Sequence, residues 1–183
     1  MHHFNQALLC KQVWRLLIDQ DSSLARAFKA RYYPTGDYWT ATLGPKLSFT
    51  WRSLLSVRHL MQKGVRWKLG DGRRMKIWKH NWMSHTSCCK PITPAPQGFQ
   101  ESFVSDFIEE GSGTWKTNKI RSKFFEVDNE AIIKMSLNHL NQPDTLVWGP
   151  HSKGIFSVKS AYDFIHSLMI TRLDSSKQLK AVN

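Results

Sequence analysis

The 183 residues include 26 Lys and Arg against 14 Asp and Glu, a net charge of +12 that predicts attraction to polyanions, nucleic acid first. A hydrophobic fraction of 41% is enough for a packed core and excludes a wholly disordered chain. An anionic membrane surface or an acidic protein is the alternative to nucleic acid. No apolar run approaches the roughly 18 residues that span a bilayer, and the first residues lack a signal-peptide pattern, so we predict no membrane partner.

The three cysteines are an odd number, and two of them are adjacent, at Cys88 and Cys89. This pattern is typical of a reducing compartment and not of a disulfide scaffold. We therefore predict an intracellular protein and leave open whether it is nuclear or cytoplasmic.

Three helices are predicted in the first third of the chain. The first covers 4–19, where polar residues occupy one narrow arc. The second runs from about Ser23 to Tyr32, between a cap at Asp21 or Ser22 and a stop at Pro34. After a loop over 35–48, the third helix begins at a Thr50 cap and ends at Gly64.

The stretch VRWKLGDGRRMKIWKHNW, residues 65–82, alternates apolar and basic residues and predicts a β-hairpin. A two-residue turn would mix core and solvent on each face, whereas a three-residue loop over 70–72 gives one nearly apolar face. The basic face then pairs Lys68 with Arg74 and Arg66 with Lys76. The pairs on the apolar face are Leu69 with Arg73, Trp67 with Met75 and Val65 with Ile77.

Like charges directly opposite each other destabilise a sheet, and a phosphate backbone would offset them by releasing counterions. Trp78 lies on the same predicted face and could stack on an unpaired base. Arg52 would extend the patch if the third helix packs beside the hairpin. The predicted nucleic-acid-binding residues are Arg66, Lys68, Arg74, Lys76, Trp78 and Arg52. The alternative is a solvated face whose cations block edge-to-edge aggregation.

The rest of the chain contains short elements. A Pro-containing connector covers 83–100, followed by an amphipathic helix in FVSDFIEE and two short helices around an Asp128 cap. A second hairpin turns near 152–154, and a helix closes the chain before a frayed tail. We predict segments 1–82, 83–100, 101–170 and 171–183. The fold class is α+β, mostly helical, with a small helical bundle packed on two β-hairpins.

No catalytic or cofactor site is predicted. His80, His85, Cys88 and Cys89 are close in sequence, but adjacent cysteines point apart, so we interpret them as loop residues and predict no metal. The chain has no Gly-x-Ser-x-Gly and no phosphate-binding Gly-x-x-x-x-Gly-Lys motif. Helix-surface and capping roles account for the clustered acids, which are Asp106, Glu109, Glu110, Asp128 and Glu130.

Ordered motifs across residues 4–164 resemble the region downstream of the polymerase domain in plant LINE-type non-LTR retrotransposon reverse transcriptases. These motifs are FNQALLCKQVWRLL, LARAFKARYYP, SFTWRSLLSVRHLMQKGVRWKLGDGRRMKIWKHNW, KPITP and LVWGPHSKGIFSVKSAY. In that family a Cys/His zinc-binding segment, and often a ribonuclease H domain, follows this region. The matching positions are scaffold motifs with no catalytic role to transfer: Trp51 and Arg52, residues 64–78 and residues 157–162.

The resemblance implies a connector or thumb-like fragment of a polyprotein that would be an RNA-directed DNA polymerase. The chain lacks the aromatic-x-Asp-Asp motif, a downstream Cys/His set and the four carboxylates of ribonuclease H, so we predict that it is not an enzyme. Its expected partners are RNA or DNA, bound weakly and nonspecifically, and the missing polymerase and zinc-binding domains. Two alternatives stay open: a structural scaffold whose exposed tryptophans packed against the polymerase, and a part of a longer active polymerase.

Overall fold

The computed structural model describes residues 2–44, 48–83, 89–137 and 141–181, with side chains as far as residue 171. Helices and one small sheet make up the fold, which confirms the α+β class. In chain order the elements are α1 (His2–Ile18), α2 (Ser23–Tyr32), α3 (Phe49–Ser56), α4 (Arg58–Gly64), β1 (Val65–Lys68), a 3₁₀ turn (Val104–Phe107), α5 (Thr117–Lys123), α6 (Glu126–Ile133), β2 (Thr145–Trp148) and α7 (Val158–Ala181).

The chain forms two compact units. The terminal unit comprises Met1–Val65 and Trp148–Asn183, and the central unit comprises Arg66–Val147. The chain thus enters the central unit within β1 and leaves it within β2. The segment boundaries predicted near residues 82 and 100 both fall inside the central unit.

Helix α1 supplies much of the core of the terminal unit. Its buried residues recur at helical spacing and pack against α7 and the next three helices, as the amphipathic pattern predicts. They are Ala7, Cys10, Val13, Trp14, Leu16 and Leu17. Helix α2 has the predicted bounds, and the Ser22 Oγ caps it by accepting a hydrogen bond from the Ala25 N–H at 3.3 Å.

The single helix predicted from Thr50 to Gly64 is two helices. Ser48, not Thr50, caps α3: its Oγ accepts from the Trp51 N–H at 3.5 Å. The break falls at Val57, whose side chain is fully buried and whose carbonyl accepts the N–H groups that open α4. The apolar spacing alone does not reveal this break.

Trp51 holds α3 in place. Its ring stacks on Tyr32, with 4.8 Å between centroids, and on Tyr33 at 5.6 Å. The indole N–H donates to the Thr42 carbonyl at 3.1 Å, and no part of the residue is exposed. Stacked aromatic pairs with a satisfied indole stabilise a core beyond their buried area, so this cluster fixes the position of α3.

The first predicted hairpin does not form, because β1 pairs with β2 instead. The two strands run antiparallel. At one end of the pair the Gly149 N–H donates to the Gly64 carbonyl at 2.9 Å, and at the other end Gly70 lies close to Pro143. The predicted partner strand, residues 75–77, lies beside 102–104 and forms an isolated antiparallel bridge there. The apolar alternation is nevertheless confirmed, since Leu69, Met75 and Ile77 are all buried.

The second predicted hairpin is also wrong. After β2 the chain turns at 149–154, and the Trp148 N–H donates to the Gly154 carbonyl at 2.8 Å. Residues 155–157 form no strand; Phe156 packs on Trp148, 4.8 Å between ring centroids, and α7 follows. Helix α7 reaches Ala181, so the tail predicted to fray continues the helix.

The central unit has short helices and a loop-rich core. Helices α5 and α6 lie where two short helices are predicted, but FVSDFIEE contains only the 3₁₀ turn. Its core joins residues from every part of the unit. They are Leu69, Met75, Ile77, Trp82, Met83, Val104, Phe107, Ile108, Trp115, Ile120, Phe124 and Ile132.

Candidate nucleic-acid interface

A buried carboxylate organises the loop that carries the predicted basic site. The Asp144 Oδ1 accepts hydrogen bonds from the N–H groups of Gly70 at 2.8 Å and Gly72 at 2.9 Å, and Oδ2 accepts from Arg74 at 2.9 Å. Asp144 itself is fully buried. The loop therefore wraps around a carboxylate from a distant part of the chain, and this replaces the predicted hairpin turn.

The two glycines of this loop are required by close contacts. A Cβ on Gly70 would lie 2.3 Å from the Gln142 carbonyl oxygen. Gly72 has φ +72°, and a Cβ there would lie 2.7 Å from the Ser105 backbone nitrogen. Both positions admit only glycine. The Gly-Asp-Gly sequence thus serves the Asp144 contact and not a two-stranded ribbon.

The predicted cations do not share one face. Arg66 and Lys68 alternate with Trp67 along β1 and point away from its ring. The Arg74 guanidinium lies over that ring, 5.7 Å from the centroid, and so belongs to the other side of the strand. The predicted basic face, with Lys68 opposite Arg74, is therefore wrong. Residues 70–74 are bound to Asp144 instead of forming a strand paired with β1.

Lys76 is engaged with an acid. The Glu101 carboxylate accepts hydrogen bonds from the Nζ atoms of both Lys76 and Lys79. These bonds lower the Glu101 pKa from 4.5 to about 2, with the attraction of the two ammonium charges as a smaller cause. Glu101 stays ionised at neutral pH and offsets part of the charge of both lysines.

Trp78 packs into the central unit. Its ring stacks on Phe124 with 4.9 Å between centroids and meets the edge of Phe107 at 6.0 Å. The indole Nε1 is buried and has no hydrogen-bond partner among the residues that the structure describes. Phe124 covers one ring face and the residue is half-buried, so at most the other face is open to the base predicted to stack there. Arg52 lies on α3, in the terminal unit, and is exposed.

The exposed cations here are Lys68, the last residue of β1, and Arg73 and Arg74 in the loop that follows. Arg73 is absent from the predicted site because strict alternation assigns it to the apolar face. The loop exposes consecutive residues instead, and the Arg73 N–H donates to the Asp71 Oδ1 at 3.1 Å. The adjacent arginines in GDGRR are the signal that could have identified this, since a loop need not alternate.

A second buried carboxylate, Asp128, holds another loop. It accepts hydrogen bonds from the N–H groups of Ile92 at 3.1 Å and Thr93 at 2.7 Å, and from the Thr93 hydroxyl. The predicted capping role is wrong: Phe125 occupies the N-cap of α6, and Asp128 lies in the first turn of that helix. Sequence reasoning gave neither Asp128 nor Asp144 this anchoring role, because each binds a segment far away in the chain.

The His/Cys group considered as a metal site is only partly described. His85 and Cys88 lie outside the described residues. His80 accepts a hydrogen bond from the Lys76 N–H through Nδ1 at 3.1 Å, and its ring stacks on Trp67. Across the described ranges no three His, Cys, Asp or Glu side chains could hold a metal ion, and no helix is long and apolar enough to cross a membrane.

The two units carry very different charge. The terminal unit has 14 Lys and Arg against 5 acids, a net charge of +9, and the central unit has 12 against 9, a net charge of +3. The ion pairs join Glu101 to Lys76 and Lys79, and Glu130 to Lys134 at 2.9 Å, all in the central unit. Among the described side chains of the terminal unit, no cation is ion-paired, and the net charge of +9 gives the unit a positive field.

Comparison with known proteins finds relatives in plants. An uncharacterized mitochondrial protein of Arabidopsis thaliana is 33% identical over 89 residues, 49% of this chain and 58% of the relative. An Arabidopsis thaliana protein named provisionally as a ribonuclease H protein is 28% identical over 172 residues, 88% of this chain. The chain spans only 27% of that relative's length. No protein-family profile and no solved structure matches.

Proposed function

We propose that this chain is a fragment of a plant LINE-type retroelement polyprotein that binds RNA or DNA weakly and without sequence preference, and catalyses no reaction itself. The similarity to a plant protein named for ribonuclease H supports the retroelement origin. The observation that carries the binding role is the net charge of +9 on the terminal unit, whose described cations form no ion pair. Any polymerase activity of a longer parent would reside in segments outside these 183 residues.

The chemistry is phosphate neutralisation. Cations that already have an acidic partner lose that contact when they bind phosphate, whereas unpaired cations release condensed counterions at no such cost. In the terminal unit, exposed cations lie one turn apart on α1, at Lys11 and Arg15, and on α2, at Arg26 and Lys29. Nonspecific binding of this kind has a Kd on the order of 10⁻⁴ to 10⁻⁶ M at physiological salt.

A salt titration tests the proposal. Fluorescence anisotropy of a labelled single-stranded RNA would be measured between about 50 and 200 mM salt, where the logarithm of the affinity should fall linearly with that of the salt concentration. One variant replaces Lys11, Arg15, Arg26 and Lys29 with Gln. Its slope should flatten by about 0.7 for each lost phosphate contact.

A second variant of equal charge tests the basic positions predicted from the sequence. It replaces Arg66, Lys68, Arg74 and Lys76 with Gln, and its slope should flatten less, because Lys76 is paired with Glu101 and Arg66 is half-buried. Absence of RNA binding by the unmodified chain at low salt would refute the proposed function. Equal slopes in all three proteins would remove both surfaces from the interface.

A structural scaffold is the second candidate function. All eight tryptophans are buried or half-buried, so the tryptophans expected to be exposed for docking are not. Instead α1 exposes Phe4 by 52%, Leu8 by 40% and Ile18 by 53% along one side. If the chain is only a scaffold remnant, it should bind an apolar dye such as anilinonaphthalene sulfonate, and RNA should not slow its proteolysis.

A further inference from the structure

Phe49 is the most exposed large hydrophobic residue in the described part of the chain, with 85% of its surface accessible. It opens α3, and Arg52 follows three positions later on the same helix. Residues three apart in a helix are surface neighbours, so the two side chains leave α3 on the same side. Arg52 is exposed, and no ion pair to it is formed within the described residues.

The backbone beneath this pair is held firmly. The Ser48 hydroxyl caps the helix at the Trp51 N–H, and Trp51 is buried between Tyr32 and Tyr33. The Ser53 hydroxyl donates to the Phe49 carbonyl at 3.0 Å. An exposed aromatic ring on an anchored helix presents a flat apolar surface at a fixed point of the backbone, so no backbone segment has to be ordered when a ligand stacks on it.

We propose that Phe49 and Arg52 form a binding site for one unpaired nucleotide of single-stranded RNA or DNA. The base stacks on the Phe49 ring, and the Arg52 guanidinium contacts a neighbouring phosphate. This inference rests on the proposed function and adds to it a preference for single strands. Aromatic stacking tolerates any base, and together with phosphate contacts it is a common way to hold single strands without sequence preference.

The surroundings of Phe49 favour a nucleotide over a protein partner. Helix α3 contains no acidic residue, and its other exposed residues are the polar Thr50, Arg52 and Ser56. Protein-docking faces need a contiguous apolar patch, and Phe49 is the one exposed apolar residue of this helix, while Leu55 is half-buried. The net charge of +9 on the terminal unit would also concentrate a polyanion near the site.

Phe49→Ala, Phe49→Trp and Arg52→Gln in the full chain test the site. Anisotropy would be measured on a labelled 12-nucleotide single-stranded RNA, the matching DNA and an RNA duplex of equal length. Phe49→Ala should weaken binding of either single strand at least about fivefold and leave the duplex unchanged. Phe49→Trp should keep the single-strand binding that Phe49→Ala loses, and the bound base should quench the fluorescence of the new indole. Arg52→Gln should flatten the single-strand salt slope by about 0.7.

Phe125→Ala is the matched control, because Phe125 is also exposed, by 57%, but lies beside Glu126 and outside the terminal unit. It should leave single-strand binding unchanged. Thermal unfolding monitored by circular dichroism should be unaltered in Phe49→Ala, since so exposed a ring makes few contacts.

Three results would overturn the inference while leaving the proposed function standing. They are unchanged single-strand affinity in Phe49→Ala, an equal loss on duplex and single strand, and a Phe49→Ala effect on self-association without one on RNA. If Phe49→Ala lost affinity for single-stranded RNA but not for DNA, the site would recognise the ribose hydroxyl and not stack on the base. That result would also overturn the inference. Failure of the unmodified chain to bind any of the probes would overturn both proposals.

Discussion

The terminal and central units differ in how far they depend on acidic residues. In the central unit, Asp144 and Asp128 are buried acceptors for backbone N–H groups, and Glu101 and Glu130 pair with lysines. In the terminal unit, no acid among the described side chains forms an ion pair, and a core of stacked aromatic rings surrounds Trp51. Both units have a packed apolar core, but in the described part of the chain only the central unit also uses buried carboxylates to hold its loops.

The difference follows from how each unit satisfies its backbone. Helices pair their own N–H and C=O groups, so the terminal unit needs few side-chain acceptors. The central unit is rich in loops, whose buried N–H groups need partners, and carboxylates supply them. The central unit has nine acids, so its net charge stays at +3 although two of them are acceptors for loop N–H groups. The terminal unit has five acids for its 14 Lys and Arg residues, and none of its described cations is ion-paired.

The largest expected effect is loss of the aromatic cluster in the terminal unit. Trp51→Ala removes a fully buried ring stacked on Tyr32 and Tyr33, and large-to-small core changes of this kind cost about 4 kcal/mol. Urea unfolding followed by circular dichroism measures the change. Trp39→Ala, which removes a half-buried ring, is the control and should cost less. If the free energy of unfolding of Trp51→Ala were within about 1 kcal/mol of that of the unmodified chain, the change would be no larger than that of a surface substitution. That result would contradict the packing described here.

Removing the Asp144 carboxylate should be the next largest effect. Asp144→Ala leaves three N–H groups without acceptors, two of them in buried bonds, which costs about 3 kcal/mol at roughly 1 kcal/mol each. Hydrogen exchange should show lost protection at the amides of Gly70, Gly72 and Arg74. Asp144→Asn keeps one acceptor oxygen and should be intermediate.

Asp163→Ala is the control for that experiment, because Asp163 is an exposed acid on α7. It should leave both stability and amide exchange at their original values. Unchanged protection of the three loop amides in Asp144→Ala would show that the carboxylate does not organise the loop.

These anchors mark the boundary of what sequence reasoning could reach. The bounds of α2, and the burial of Leu69, Met75 and Ile77, depend on local caps and alternation and were predicted correctly. The pairing of β1 with β2 was not predicted. The Asp144 bonds that accompany it join residues 70 to 74 positions apart, which local patterns do not reveal. An Asp beside a proline reads as an ordinary turn residue until the fold brings Gly70 and Gly72 to it.

The candidate site divides in the same way. Lys68, Arg74 and Arg52 were predicted to be exposed, and they are. Their arrangement depended on the hairpin, and it changed when the carboxylate took the place of the turn. Phe49 escaped notice because an apolar residue at the start of a helix is more commonly part of the core, and only the fold shows its ring in solvent.

Cys10 reports on the integrity of the terminal core. Burial raises the pKa of its thiol to about 12, so about one thiol in 10⁴ is ionised at pH 8. Iodoacetamide at pH 8 should leave Cys10 unmodified in the native chain and label it in urea, as peptide mass spectrometry would show. Trp51→Ala should hasten labelling. Native labelling at the unfolded rate would mean that α1 is not packed as described.

The smallest effect concerns the charge pairing that distinguishes the central unit. The Glu101 pKa is lowered from 4.5 to about 2, chiefly by hydrogen bonds from Lys76 and Lys79, so the ion pairs contribute fully above the unfolded pKa and are lost as the pH falls toward 2. An NMR titration of the Glu101 carboxyl carbon should show a midpoint well below 4. In the Lys76→Gln, Lys79→Gln double variant the midpoint should return toward 4.5. A midpoint near 4.5 in the unmodified chain would mean that Lys76 and Lys79 are not paired with Glu101. The two units would then no longer differ in the ion pairing of their lysines at this site.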